Sequence, residues 1–260
     1  MSDLFILAVI IAVVVLLLRV LRSYVTRRTK INLGVMQVLN DGALVESMDS
    51  NIMASSDLPF SGSIKASFFA SYLTLHESGY NGNYYGLVSA YLLKWETEGL
   101  LQTEMNSDGI VFLTFVNNRK PSEEIELELY KILKSNDIED GGSINYPMLQ
   151  DWIKRIIALG EQELLEKEDV AFDQKRRIRF TRQGYHKSLS HPSFEKYFKN
   201  LTPTMFNELD SERQLRELVF AILLDLTVEI EDIIDNDASE VLQIANRVWR
   251  VFQEEKEMSL

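Results

Sequence analysis

The sequence predicts a mainly α-helical fold with small β-hairpins (α+β). It comprises an N-terminal transmembrane helix, two winged-helix-like units and a C-terminal helical pair. Three observations predict this architecture. Fifteen apolar residues follow one another without a break at 4–18. The order of two helical patterns and one hairpin pattern occurs twice, at 62–120 and at 121–190. The remainder, 191–260, shows helical periodicity only.

The apolar run is long enough to predict a membrane anchor. Val20 and Leu21 extend it to 4–21, close to the roughly 20 residues that span a bilayer, if Arg19 extends its guanidinium to the headgroups. A cleavable signal peptide is the alternative. However, residues 1–3 carry no Lys or Arg, and arginines rather than a small-residue cleavage site follow the run. A buried core helix would need a polar face, which the run lacks.

The charges that flank the run predict its orientation. Basic side chains follow it, and none precedes it. Because basic flanks stay cytoplasmic, we expect a single-pass cell-membrane protein with its N-terminus outside and its C-terminal domain in the cytoplasm. Residues 1–30 would form the anchor and its membrane flank, with Arg19, Arg22, Arg27, Arg28 and Lys30 at the headgroups.

The composition after the anchor limits the classes of function. The whole chain has a net charge of −12, and residues 31–260 hold 22 basic and 38 acidic residues, a net charge of −16. Such a surface as a whole repels nucleic-acid backbones and anionic lipid. Cysteine is absent, which excludes disulfides, thiolate nucleophiles and Cys-ligated metals, and is typical of a reducing cytoplasm.

The first half of the cytoplasmic part is predicted to be a linker and one helix–helix–hairpin unit. Residues 31–45 alternate loosely between apolar and polar, 46–61 is rich in Ser, Asp and Asn, and the whole range 31–61 is interpreted as a linker. In the unit at 62–120, we predict helices over 63–78 and 84–98, the second closed by Gly99. Asp108-Gly109 then joins two strands, because this dipeptide between apolar-rich runs is a strong hairpin signal.

The same order is predicted again at 121–190. Helices cover 123–135 and 147–159, and Gly160 closes the second one. Strands over 164–172 and 177–181 form a second wing. In 191–260, the pattern predicts a short helix at 193–199, a long one at 208–235 and an amphipathic one at 238–255.

Several of these stretches are similar to one known family. They are Leu92…Gly99-Leu100-Leu101, Glu126…Leu133, Arg179-Phe180-Thr181…Gly184, Phe194…Tyr197-Phe198 and the helix at 218–224. Over roughly 68–234, the chain resembles the cytoplasmic C-terminal part of the YciQ-like predicted bacterial membrane proteins, a family of unknown function. Asp225 stands near where that family usually has glycine. The family often carries a large extracytoplasmic domain before its membrane segment, and three residues precede the run here. The resemblance implies a fold and no catalytic motif.

The most pointed surface feature is a basic cluster in the second wing. Two interpretations stay open for it. The cluster contacts phosphates of DNA or of lipid headgroups, or it is a solvated face that pairs with nearby carboxylates. Residues 121–200 hold 13 basic and 15 acidic residues, which favours local pairing. The candidate contacts with an anionic surface are Lys175, Arg176, Arg177, Arg179 and Arg182.

Other candidate chemistry is weaker. His186 and His191 are five apart, which does not place two ligands on one helix face. The S-x-x-K match at 193–196 lacks its companion motifs. The acidic stretch 137–142 fails the EF-hand spacing, and the chain has no P-loop and no G-x-G-x-x-G. We therefore expect no catalytic residues, no metal site and no cofactor.

These observations lead to three functional hypotheses. We expect a membrane-anchored cytoplasmic module that binds a protein partner and is not an enzyme. The alternative is a membrane-tethered protein that binds nucleic acid or anionic lipid through the basic second wing. Nucleic acid is the less favoured ligand, because Lys94 is the one basic residue in the predicted helix 84–98 of the first unit. The third hypothesis is an enzyme with an unrecognised site.

Overall fold

The computed structural model of the protein describes a helical body with three small hairpins. The described residues are 36–40, 43–47, 52–76, 83–105, 111–116, 119–135, 146–226, 229–230, 233, 241, 243–245 and 248. Residues 37–260 form one compact unit. The predicted anchor at 4–21 lies outside the described residues.

The described helices and strands confirm the mainly helical α+β class. The strands pair as β1–β2, β3–β4 and β5–β6. In chain order the strands and α-helices are β1 Met36–Asn40, β2 Ala43–Ser47, α1 Ile64–His76, α2 Tyr84–Thr97, β3 Leu101–Met105, β4 Val111–Phe115, α3 Glu124–Ser135, α4 Tyr146–Glu166, β5 Val170–Phe172, β6 Ile178–Phe180, α5 Arg182–Ser188, α6 Ser190–Phe198, α7 Pro203–Asn207 and α8 Ser211–Leu223.

The range 31–61 differs from the linker that its composition predicts. It holds the paired strands β1 and β2, and a 3₁₀ turn begins at Pro59. In the sequence, Asp41-Gly42 separates these strands. This dipeptide is the signal of a two-residue hairpin connection, and the loose alternation of apolar and polar residues on both sides of it fits two strands.

Helix α2 is the centre of the body, because it is buried along most of its length. Its N-cap Asn83 accepts a hydrogen bond from the Gly86 amide, and its side-chain amide donates to the carbonyls of Ile222 and Leu223. A Cβ atom at Gly86 would lie 2.5 Å from the Ile222 oxygen. Glycine therefore lets the start of α2 approach the end of α8 backbone to backbone.

The two predicted units share one aromatic core. Trp95 of α2 and Trp152 of α4 are both fully buried. The Trp95 indole donates to the Glu126 carboxylate at 2.9 Å, and the Trp152 indole donates to the Ile125 carbonyl at 2.8 Å. Tyr91 packs edge-on against Trp152, with ring centroids 5.7 Å apart. The apolar residues that recur at helical spacing in α3 and α4 are buried: Ile125, Leu129, Ile132, Leu133, Leu149, Trp152, Ile153 and Ile156.

The prediction that Gly160 ends its helix is wrong. Helix α4 continues through Gly160 to Glu166, so the strand predicted over 164–172 is reduced to β5. A Cβ atom at Gly160 would lie 2.3 Å from the carbonyl oxygen of Lys65 in α1. This glycine serves a close helix crossing, whereas Gly99, at φ +67°, does close α2 as predicted.

The long helix predicted over 208–235 is also interrupted. Helix α8 ends at Leu223, and Asp225 has the left-handed φ of 63°. The Leu226 amide then bonds back to the Ala221 carbonyl, which is the closing bond of a Schellman cap. A left-handed residue at this cap position is normally glycine, and here Asp225 adopts that conformation. The predicted helix 238–255 lies mostly outside the described residues, although Ile244, Ala245 and Val248 in it are buried.

Candidate functional site

Four of the five predicted cations lie on one hairpin at the surface, which we call the basic hairpin (170–180), and the fifth, Arg182, begins α5. Its strands pair Val170 with Phe180 and Phe172 with Ile178. At its base, Val170 and Phe180 are buried in the body. At its tip, a turn of exposed residues connects the strands at 174–177. The hairpin therefore projects from a fixed base.

Asp169 fixes the base of the basic hairpin. Its buried carboxylate accepts hydrogen bonds from Lys187 and Gln183. Its carbonyl accepts the amide of Thr181, and a Cβ atom at Gly184 would lie 1.7 Å from the same oxygen. Only glycine permits α5 to start so close to the strand, so the hairpin and α5 are joined rigidly.

Asp173 closes the turn at the tip. Its carboxylate accepts the amides of Lys175 and Arg177 at 2.8 and 2.9 Å and the Arg177 Nε at 2.9 Å. These bonds, the one from the Arg177 amide first, hold the pKa of Asp173 below its ordinary value, against the effect of burial. Arg176, at φ 57°, completes the turn in the left-handed region. The conformation of the tip is thus set by internal hydrogen bonds.

The five predicted cations divide into two groups in the structure. Arg177 and Arg179 face Asp173, with nitrogen–oxygen distances of 2.9 and 3.9 Å, so this carboxylate compensates part of their charge. Lys175, Arg176 and Arg182 are exposed and have no ion pair within the described part of the chain. Two carboxylates near the cluster in the sequence have other partners. Asp169 pairs with Lys187, and Glu166 accepts a hydrogen bond from Gln162.

The basic hairpin also exposes an apolar face, which sequence reasoning missed. Residues two apart on a strand share a face, so Phe172 continues the face of buried Val170 beyond the edge of the body. Phe172 is 55% exposed, and half-buried Ile178 lies opposite it. Phe172 is the last residue of β5, directly before the turn at the tip.

Two other buried carboxylates have structural partners. Glu126 accepts hydrogen bonds from Lys94 as well as from Trp95. Burial alone would lower the pKa of Lys94, but the bond to Glu126 and its charge outweigh burial and raise it. Burial raises the pKa of Glu217, opposed by bonds from Arg213 and Tyr197. These clusters hold helices together.

The exposed face of α4 carries compensated cations. Lys154 pairs with Asp151 at 2.8 Å. Arg155 pairs with Glu128 of α3 and lies 3.6 Å from Glu124. A helix that reads DNA needs cations and donors free for phosphates and base edges. Neither α4 nor the buried helix α2 presents such a set.

The remaining predicted residues add no binding chemistry. In the part of the chain that the structure describes, no group of three His, Asp or Glu side chains could hold a metal ion. His191 is buried beside Phe60, whereas His186 is exposed. The membrane-flank residues lie outside the described residues. No helix among those described has both the length and the apolar character needed to cross a bilayer.

Comparison with known proteins gives no relative. No family model matches the chain. No curated protein and no solved structure matches it either. The resemblance to the YciQ-like proteins therefore stays a prediction, and the functional argument depends on the geometry described above.

Proposed function

We propose that this chain is a membrane-anchored, cytoplasmic protein-interaction module with no catalytic role. The apolar run at 4–21 supplies the anchor. The repeated order of two helices and a hairpin in 62–190 is that of two winged-helix-like units, followed by C-terminal helices. The observation that carries the proposal is that α4 exposes two large apolar side chains to solvent on one face.

Met148 and Leu159 are 47% and 37% exposed. They are eleven residues apart, about three turns of an α-helix, so both lie on one face of α4 at a spacing of roughly 16 Å. Arg155 lies between them and is bonded to Glu128. Methionine adapts to varied partners, and exposed apolar side chains with a polar surround are typical of interaction surfaces. We propose that this face binds a protein surface with apolar side chains and compensating positive charge.

The surrounding charge supports a protein partner rather than nucleic acid. Residues 31–260 carry a net charge of −16, which repels a phosphate backbone. The cations of α4 are already bound to carboxylates of its own turn and of α3. Binding at this face therefore has to come mainly from apolar contact, with charge contributing to specificity.

Photo-crosslinking in native membranes tests this proposal. A photoreactive amino acid replaces Leu159 in one variant and Met205, the matched control, in another; Met205 is 48% exposed on α7. We expect a discrete protein adduct at 159 and none at 205. Met148→Glu should abolish the adduct at 159, while Met205→Glu should leave it. Equal crosslinking at 159 and 205 would contradict a specific surface on α4. An adduct at 159 that forms equally well in the Met148→Glu variant would contradict it too.

A further inference from the structure

We infer that the tip of the basic hairpin docks onto the anionic lipid surface of the membrane that anchors the chain. The inference rests on the proposed anchor and is independent of the α4 surface. Its contact residues are Phe172, Lys175 and Arg176. This contact would fix how the body stands against the bilayer and hence which surface it presents to the cytoplasm.

The cations of the tip are placed before any ligand arrives. Asp173 accepts both the Lys175 and the Arg177 amides, and the Arg176 amide donates to the Asp173 carbonyl at 2.9 Å. Because these bonds fix the backbone, little conformational entropy is lost when the tip contacts a surface. Asp173 also keeps Arg177 bound at its side, so the free positive charge is concentrated on Lys175 and Arg176.

Phe172 supplies the second element that a bilayer contact needs. Among the Phe, Tyr and Trp side chains that the structure describes, Phe172 has the largest exposed fraction. It lies on the strand that leads directly into the cationic turn. An aromatic ring beside basic residues enters the boundary between headgroups and acyl chains, while the cations meet phosphates.

The size and setting of the patch favour a lipid surface over nucleic acid. The two uncompensated cations of the tip, on an acidic protein, are too few for the six to ten phosphate contacts typical of DNA-binding proteins. A tether changes this balance for lipid, because it makes surface contact an intramolecular step at high effective concentration. The basic flank of the predicted anchor, at 19–30 in the sequence, requires the same anionic leaflet.

The test uses the full chain in nanodiscs with an environment-sensitive fluorophore at the tip. Cysteine is absent from the chain, so Gln174→Cys gives one labelling site, exposed in the turn itself. Nanodiscs of phosphatidylcholine alone are compared with nanodiscs of equal parts phosphatidylcholine and phosphatidylglycerol. We expect a blue shift in the anionic discs at low salt, its reversal at high salt, and no shift in the neutral discs.

Matched variants assign the shift to the tip. Lys175→Gln with Arg176→Asn, in which Asn tolerates the left-handed φ, should lower the ratio of docked to undocked tip about 30-fold, at about 1 kcal/mol for each cation. The control, Lys120→Gln with Lys131→Gln, removes the same charge from two exposed lysines elsewhere and should leave the ratio unchanged. Phe172→Ser should weaken docking and reduce its persistence at high salt.

Three results would overturn the inference. In the first, the chain enters the discs but the fluorescence of its label does not depend on lipid charge, and the proposals of the anchor and of the α4 surface still stand. Another is a chain that fails to enter discs at all, which removes the proposed anchor as well. The last is a label that responds to duplex DNA at physiological salt but not to anionic discs, which would make the hairpin a nucleic-acid contact.

Discussion

Replacing Gly160 by alanine separates two effects of opposite sign. In an exposed helix interior, Gly→Ala stabilises by about 1 kcal/mol, because alanine has the higher helix propensity. Here the new Cβ atom would lie 2.3 Å from the Lys65 carbonyl oxygen and 2.7 Å from the Phe69 Cβ atom. Overpacking of this kind costs about 1–3 kcal/mol, and a contact with backbone falls at the upper end. We therefore expect Gly160→Ala to lower the free energy of unfolding by about 2 kcal/mol.

Asparagine at the same position distinguishes a helix crossing from a helix end. At a C-terminal cap asparagine is tolerated better than alanine, because it adopts the left-handed conformation readily. At a close crossing it is worse, because it is larger. We expect the order Gly, Ala, Asn of decreasing stability at 160 and the order Gly, Asn, Ala at the matched cap position Gly99.

Urea unfolding followed by the fluorescence of buried Trp95 and Trp152 measures these differences. If Gly160→Ala stabilised the protein, α1 and α4 would not cross at this glycine. If asparagine were the milder substitution at 160, the helix would end there, as its sequence pattern alone indicates.

Three further predictions concern stability. Trp95→Ala should destabilise the protein by about 3–5 kcal/mol, because the ring is fully buried and its loss also leaves Glu126 without the indole donor. In urea unfolding, a change below about 1 kcal/mol would contradict a core role for Trp95. Glu168→Gly should stabilise the protein by up to about 1 kcal/mol in the same assay, because Glu168 occupies the cap position of α4 in the left-handed conformation, φ 58°, which strains a residue other than glycine. A loss of stability would contradict backbone strain at Glu168. Burial lowers the pKa of His191 from 6.5 to about 4, so the unfolded chain binds the proton more tightly. The protein should therefore lose about 3 kcal/mol as pH falls from about 6.5 to 4, relative to a His191→Leu variant, and parallel pH profiles of the two would disprove it.

The helical faces and the fold class were predictable because burial follows the 3.6-residue period. Trp152 and Ile156 are buried where that spacing places them. Glycines were harder to interpret. Gly99 and Gly160 each follow an amphipathic segment, yet one closes a helix and the other admits a neighbouring backbone. Only the distance from Gly160 to Lys65 distinguishes these roles, and a non-local contact leaves no signal in a local pattern.

The basic hairpin was only partly predictable for a related reason. Composition locates the cations near carboxylates but does not pair them. The turn assigns Asp173 to Arg177 and leaves Lys175 and Arg176 free, which depends on the left-handed conformation at 176. Phe172 is exposed because it ends β5, two residues beyond buried Val170. The residue at which a strand ends is the least certain part of a sequence pattern.

The membrane topology of the full chain tests the central claim most directly. Two reporters are fused in turn to the C-terminus: a fluorescent protein that folds only in the cytoplasm and a phosphatase that is active only after export. Because Arg19, Arg22, Arg27, Arg28 and Lys30 all follow the apolar run, we predict that the fluorescent fusion is bright, that the phosphatase fusion is inactive, and that both stay in the membrane pellet after alkaline carbonate washing. An active phosphatase fusion, or a fusion that washes off the membrane, would contradict a membrane-anchored cytoplasmic module.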